Sequence, residues 1–265
     1  MNYLELIGFF GAFVTGIIIC LFGGGGSILA VPIFVYLFQL NPILATSYSM
    51  FVVGFSAAIG TLINIRKKII EYKTAFIFTL PALASVFITR RFIIPNLPDN
   101  VATIGSFVIT KEMALMLFFS LIIILSSVFM MKKPTTVDSK SDSKRKDLFL
   151  LIIGLGVGLI TGLVGAGGGF IIVPALVLFA KLSIKQAVAT SLIIITFNSL
   201  IGFSADLSLL QIEWRFLSLF TALSILGIFV GSYFSNFVQE STLKINFARF
   251  MIIMAAVIIF KEFNS

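Results

Sequence analysis

The sequence has no histidine and a single cysteine, Cys20, in 265 residues. The first absence removes the commonest metal ligand and the side chain that exchanges protons near neutral pH. The second excludes an internal disulfide. Charge is also scarce. Lys, Arg, Asp and Glu make up 11% of the chain, against roughly a quarter in a soluble domain. With 19 bases and 11 acids, a water-soluble fold of this length could not cover its surface. A soluble enzyme, a disordered chain and a nucleic-acid binder are thereby excluded. No Gly-x-x-x-x-Gly-Lys-Ser/Thr segment occurs, so the chain is not itself an ATPase. Neither a metal-ligand cluster nor a nucleophile–base pair is visible, and no enzymatic activity, metal or cofactor is expected. No Asp or Glu falls deep within an apolar run, which leaves an intramembrane carboxylate relay without obvious members.

What the chain has instead is apolar length. Hydrophobic residues make up 59% and the mean hydropathy is +1.13, so lipid is the solvent for most of it. The net charge of +8 reads as topology signal rather than as a nucleic-acid footprint. The start, Met1-Asn2-Tyr3-Leu4-Glu5, lacks the basic region of a cleavable signal peptide, so the first apolar segment is expected to stay as a membrane helix.

Residues 6–65 contain no charge, too long a run for one or two spans of about 20 residues. Gly23-Gly24-Gly25-Gly26 and Gln39-Leu40-Asn41-Pro42 divide it into 6–22, 27–38 and 43–65. Residues 74–89 and 113–131 are span-length, with a loop or short interfacial stretch over 90–99. Residues 132–147 are a charged, nearly apolar-free linker, expected to be cytoplasmic. After it come 148–164, a second break at Gly165-Ala166-Gly167-Gly168-Gly169, the short run 170–180, and spans 187–205, 216–238 and 243–260. An 11-residue helix reaches about 17 Å against roughly 30 Å of hydrocarbon. Each half therefore holds one apolar helix too short to cross unaided.

The halves repeat. A shift of 142 residues carries Gly25-Gly26 onto Gly167-Gly168, Val31-Pro32 onto Val173-Pro174, and Ile70-Glu71-Tyr72-Lys73 onto Ile212-Glu213-Trp214-Arg215. A shift of 144 carries Ala45-Thr46-Ser47 onto Ala189-Thr190-Ser191. The basic clusters swap sides: Arg66-Lys67-Lys68 has no basic counterpart over 206–210, while Lys181 and Lys185 face uncharged Gln39 and Ile43. The positive-inside rule reads that exchange as two inverted halves. Inversion needs an odd number of crossings per half. Five suffice if the short helix completes a crossing, three if it folds back on the helix before it. Arg90 and Arg91 fall on the outer side, against the rule.

Glycine runs near membrane depth bare backbone amides that lipid cannot satisfy. The short helices after them begin at Ser27 and Phe170. Their free N–H groups and positive dipole ends make an anion site, as in transporters with broken helices. The competing reading is close helix packing. Thr46, Ser47, Thr190 and Ser191 open the next long helices, either as substrate contacts or as caps. Asn198, mid-span, is a substrate contact or interhelical glue. Arg90-Arg91 either marks a water boundary or has one member facing the cavity as the counter-charge for an anion, Arg91 being the candidate. Glu71 and Glu213 are read as interfacial partners of Lys73 and Arg215.

At residues 16–32 and 162–174, the two Ala-Thr-Ser segments, Ile212-Glu213-Trp214 and Thr89-Arg90-Arg91-Phe92-Ile93-Ile94-Pro95, the chain resembles the TauE/SafE family of membrane anion transporters. The likeness covers nearly the full chain. It implies sulfite, sulfonates or related organosulfur anions as substrates, and a bacterial inner membrane as location. The expectation is thus an all-α polytopic membrane protein of two inverted repeats, about eight full transmembrane helices plus two short helices after the glycine breaks. Residues 1–131 form the first repeat, 132–147 the linker and 148–265 the second repeat. The expected partners are a small anionic substrate and the bilayer. Gly24, Gly25, Gly26, Ser27, Gly167, Gly168, Gly169 and Phe170 would supply amides, and Thr46, Ser47, Thr190, Ser191, Asn198 and Arg91 the side-chain contacts. A channel-like anion pathway and a membrane-embedded assembly or chaperone protein are the alternatives.

Overall fold

The computed structural model describes residues 3–104, 107–131, 143–235, 237 and 239–264. Its elements are α1 (Tyr3–Phe22), α2 (Ser27–Pro32) continued by a π-helical turn (Ile33–Leu37), α3 (Pro42–Arg66), and α4 (Tyr72–Ile88) continued by a second π-helical turn (Thr89–Ile93). A two-stranded antiparallel hairpin, β1 (Asn100–Ile104) and β2 (Phe107–Thr110), precedes α5 (Lys111–Met131). The second half holds α6 (Ser143–Val164), α7 (Gly169–Leu178), α8 (Ile184–Asp206), α9 (Trp214–Phe234) and α10 (Glu240–Asn264). Among the described residues, seven helices are long and apolar enough to cross a membrane. The eighth expected span lies in α10, which is 25 residues long but carries Arg249, Lys261 and Glu262. The protein is an all-α, multi-pass membrane protein. Residues 132–142 of the expected linker lie outside the described residues, and 143–147 already belong to α6.

Local chemistry sets the helix starts. Asn41 caps α3 by accepting from the Ile43 amide at 2.8 Å, with Pro42 opening the helix. Ser183 and Gln186 form a reciprocal capping box at α8. Lipid-facing side chains are apolar too, so exposed Phe76, Leu121, Phe229 and Ile253 need no aqueous explanation.

The short helices fold back. Phe38 lies against Gly8, Ile33 against Gly11, and Thr15 and Ile19 against Gly26, so α2 and its π-turn run antiparallel to α1. Thr161 lies against Gly168, and the Phe149 and Phe179 rings meet edge to face at 5.5 Å, so α7 runs antiparallel to α6. Of the two arrangements the sequence left open, the fold adopts the hairpin. The open end of the α1 hairpin lies by Phe216 and Phe220 at the start of α9. The open end of the α6 hairpin lies where Lys73 of α4 pairs with Asp147 at 2.9 Å. That second end also gathers Lys67, Lys185 and Ser235; we call it the basic end.

Long-range contacts exchange between halves. Helix α1 packs along α9, and α6 along α4; α3 packs on α8, and α5 on α10. The Glu71 amide donates to Thr190 Oγ1 at 3.1 Å and the Glu213 amide to Tyr48 Oη at 2.7 Å. The 142-residue shift maps Glu71 onto Glu213, and each of these matched amides donates to a hydroxyl on the long helix of the other half, α8 or α3.

Candidate functional site

The two glycine breaks meet inside the bundle. A Cβ built on Gly169 would collide with Gly24 Cα, and one on Gly24 would sit 2.8 Å from Gly169 Cα. Only residues without side chains let the two turns approach so closely. Gly24 has φ +100° and Gly168 φ +72°, the left-handed region that penalises any Cβ. Gly25 is packed under the Phe247 ring and Gly26 under Ile19. Ser27 Oγ donates to the Gly24 carbonyl at 3.0 Å. Gly167 faces Ser199 Oγ, Gly168 faces Thr161 Oγ1, and buried Phe170 meets the Phe119 ring edge to face at 5.6 Å. The helix-closing bonds of the second break run from the Ile171 and Ile172 amides to the Gly168 carbonyl, both at 2.9 Å.

Beside the Gly165 turn lies a charge that sequence reasoning did not select. Arg90 is 1% exposed. Its Nη1 donates to Asp206 Oδ2 at 3.1 Å and to Thr46 Oγ1 at 3.2 Å. A Cβ built on Gly165 would collide with its Nη2 and with the Thr46 side chain. Nε and Nη2 have no hydrogen-bond partner. The side chains of the pair are 0% and 6% exposed, so the charges are held out of solvent. The Ser47 hydroxyl stands beside the Asp206 carboxylate without closing a hydrogen bond to it. A guanidinium with unspent donors, against bare backbone, is a fork ready for an oxyanion.

The other expected residues divide. Thr46 and Ser47 join this cluster. Thr190 and Ser191 do not: Thr190 Oγ1 accepts from the Glu71 amide, and Ser191 Oγ lies 3.0 Å from the Gly23 carbonyl, at the tip of the other hairpin. Asn198 is fully buried with both amide atoms unpartnered, as is the hydroxyl of its neighbour Ser199. Unpaired buried polar atoms cost about 1–3 kcal/mol each. Arg91 faces out and donates to Ser208 Oγ, whereas Arg90 is the buried one of the two. The sequence reading also stopped the span one residue short of Asp206. No group of three or more His, Cys, Asp or Glu able to hold a metal occurs among the described residues.

Two cavities flank this buried centre. One of about 570 Å³ is lined by Phe38, Tyr48, Gln211, Glu213 and Phe216; one of about 260 Å³ at the basic end is lined by Cys20, Asn64, Lys67, Lys185 and Ser235.

Comparison with known proteins adds a lineage. The family model described as sulfite exporter TauE/SafE matches residues 8–258. A probable membrane transporter protein of Methanocaldococcus jannaschii is 29% identical over 195 residues, 72% of this chain and 67% of the relative. One of Xylella fastidiosa is 26% identical over 184 residues, 68% of this chain and 65% of the relative. One of Bacillus subtilis is 26% identical over 220 residues, 77% of this chain and 78% of the relative. The match thus spans about two thirds of the length of the first two.

Proposed function

The chain belongs to the sulfite exporter TauE/SafE family, and on that premise we propose that it is a secondary carrier of small oxyanions, sulfite or organosulfonates, in a prokaryotic inner membrane. The observation that carries this reading is Arg90: a fully buried guanidinium with two unspent nitrogens, placed against the Gly165 turn. The anion would take Nε and Nη2, the backbone amides over Gly167–Phe170 ahead of the helix-closing bonds, and the Asn198 and Ser199 side chains. Thr46 and Ser47 would hold the guanidinium and its partner in place. A tetrahedral or pyramidal oxyanion suits such a set because each oxygen accepts more than one hydrogen bond.

The exchanged contacts of α1 with α9 and α6 with α4, and hairpins that open at opposite ends, support two inverted repeats over 1–131 and 148–265. With the hairpins folded back, three further helices per half give the odd count that inversion needs. The basic end, with Lys67, Lys73 and Lys185, would be cytoplasmic. Cavities at both ends and a closed centre fit alternating access by rocking the repeats, rather than a continuous channel.

The test is flux in proteoliposomes with sulfite, sulfoacetate, taurine and thiosulfate. Saturable exchange of at least one, abolished by Gly25→Leu and by Gly168→Leu in protein that still inserts, is the expected result. No exchange of any of them by the wild-type protein, or normal flux in both variants, overturns the reading.

A further inference from the structure

Building on the carrier reading, we propose that Asp206 binds a proton that travels with the anion: the anion displaces the Asp206 carboxylate from Arg90, and the released carboxylate is protonated.

The argument begins with the resting pair. Arg90 and Asp206 neutralise one another inside the bundle, with side chains 0% and 6% exposed. An anion that occupies Arg90 removes the one positive charge acting on that carboxylate among the described residues. Among the described groups around Asp206, the π-turn after α4 supplies Arg90, and α3 supplies only the hydroxyls of Thr46 and Ser47. Helix α7 contains no titratable residue. The Tyr72 and Lys73 groups of α4 sit at its other end, and Arg91 is turned outward on Ser208. A carboxylate left buried without a counter-charge either neutralises or is expelled. Taking up a proton is the step that keeps it in place.

The repeat provides an internal comparison. The 142-residue shift that carries Gly23 onto Gly165 carries Asn64 onto Asp206 and Arg90 onto Ser232. At that equivalent place Asn64 donates to the Gly60 carbonyl at 2.8 Å, and neutral residues fill the position. The fold therefore closes these two positions without an ion pair between them, although Lys67 and Lys185 line the cavity beside Asn64. A buried ion pair is weak evidence for stability, which leaves a working role as the reason for the charged version.

The balance is simple. At rest the site holds Arg90⁺ and Asp206⁻. Loaded with a monovalent anion it holds Arg90⁺, the anion and neutral Asp206. The proton comes from water on the side the site faces and leaves with the anion, after which the carboxylate returns to Arg90. Net charge is zero in both states. One proton moves per monovalent anion, and the loaded site crosses without opposing the membrane potential.

The experiment uses full-length protein in liposomes loaded with a pH-sensitive dye, with sulfite, isethionate and sulfoacetate added outside and protein-free liposomes as the permeation control. Anion-for-anion exchange tests the carrier reading. Net uptake with lumenal acidification tests this one. The expected result is acidification that saturates with isethionate, about one proton per anion taken up, and insensitivity of that uptake to an imposed membrane potential. Asp206→Asn should abolish the acidification, and Asp206→Glu should restore part of it. Because Asp206→Asn alone can fail to fold, infrared difference spectra of the wild-type protein provide a second readout: anion addition should raise the carbonyl band of a protonated carboxylic acid. Wild-type net uptake with an unchanged lumen, or acidification that survives in Asp206→Asn, overturns the proposal while the carrier reading stands. Absence of exchange with all three anions takes both down.

Discussion

Removing Asp206 alone should destabilise the protein, whereas removing it together with Arg90 should not. In Asp206→Ala the guanidinium stays buried with Thr46 Oγ1 as its one remaining partner, because Nε and Nη2 already lack one. The pair is 0% and 6% exposed, so solvent offers no screening to soften the loss. Breaking one side of such a pair costs about 3–5 kcal/mol. For a chain of this size that corresponds to roughly 6–20 °C in melting temperature. The double variant Arg90→Met/Asp206→Leu replaces both charges with apolar volume and should be neutral to about 4 kcal/mol more stable. It should nevertheless carry no anion, because the Gly165 turn then faces no charge. Thermal unfolding of the purified variants, beside exchange flux in liposomes, separates the two effects. A double variant that still transports would refute Arg90 as the recognition group. A single variant as stable as wild type would refute the dry environment assigned to the pair.

Asn198→Leu removes two unpartnered polar atoms from the interior and should leave stability unchanged or higher, while half-saturation in a flux assay rises at least about tenfold, the equivalent of one lost hydrogen bond to a charged ligand. Lys73→Ala breaks a bridge whose partners are 66% and 34% exposed; it should cost less than about 1 kcal/mol in thermal unfolding and leave flux alone. Lys67→Gln and Lys185→Gln, which line the cavity at the basic end, should slow entry from that end at low salt. The difference should fade above about 0.1 M salt, where the screening length is about 10 Å, and initial rates across a salt series check this.

The coarse layout was legible because lipid imposes it. Helix length, the two undersized segments and the repeat all follow from how much apolar chain crosses a fixed thickness, and the glycine runs stood out because backbone without side chains is costly there unless it packs or binds. What the residues did not say was which way the short helices run. Gly8 under Phe38 and Thr161 over Gly168 decide that, and both are contacts between segments whose sequences are apolar throughout. The pairing of β1 with β2 was likewise unreadable from a scan for spans. Thr190 and Ser191 repeat Thr46 and Ser47 in sequence, yet only the first-half copy has a buried arginine beside it.

Arg90 was the harder residue to see, and the reason is general for membrane helices. In water an amphipathic helix shows its phase by contrast between apolar and polar faces. Residues 74–89 offer no such contrast, since the outward face meets lipid and is as apolar as the inward one. The phase exists all the same. Ala75, Phe78, Thr79, Ala82 and Val86 are the buried positions of α4, with Phe78, Ala82 and Val86 four apart, and Gly154 and Gly158 of α6 let the backbone of that stripe come close at Phe78 and Ala82. Continuing the stripe by four from Val86 reaches Arg90, and by four again Ile94, which is also buried; Arg91 falls off it. Small and hydroxyl residues at that spacing were the available signal, rather than hydropathy. The π-turn, closed by the Ile94 amide on the Thr89 carbonyl at 2.9 Å, adds slack at the end of the stripe, as such turns do at functional sites, and sets the guanidinium against Gly165 instead of the surface.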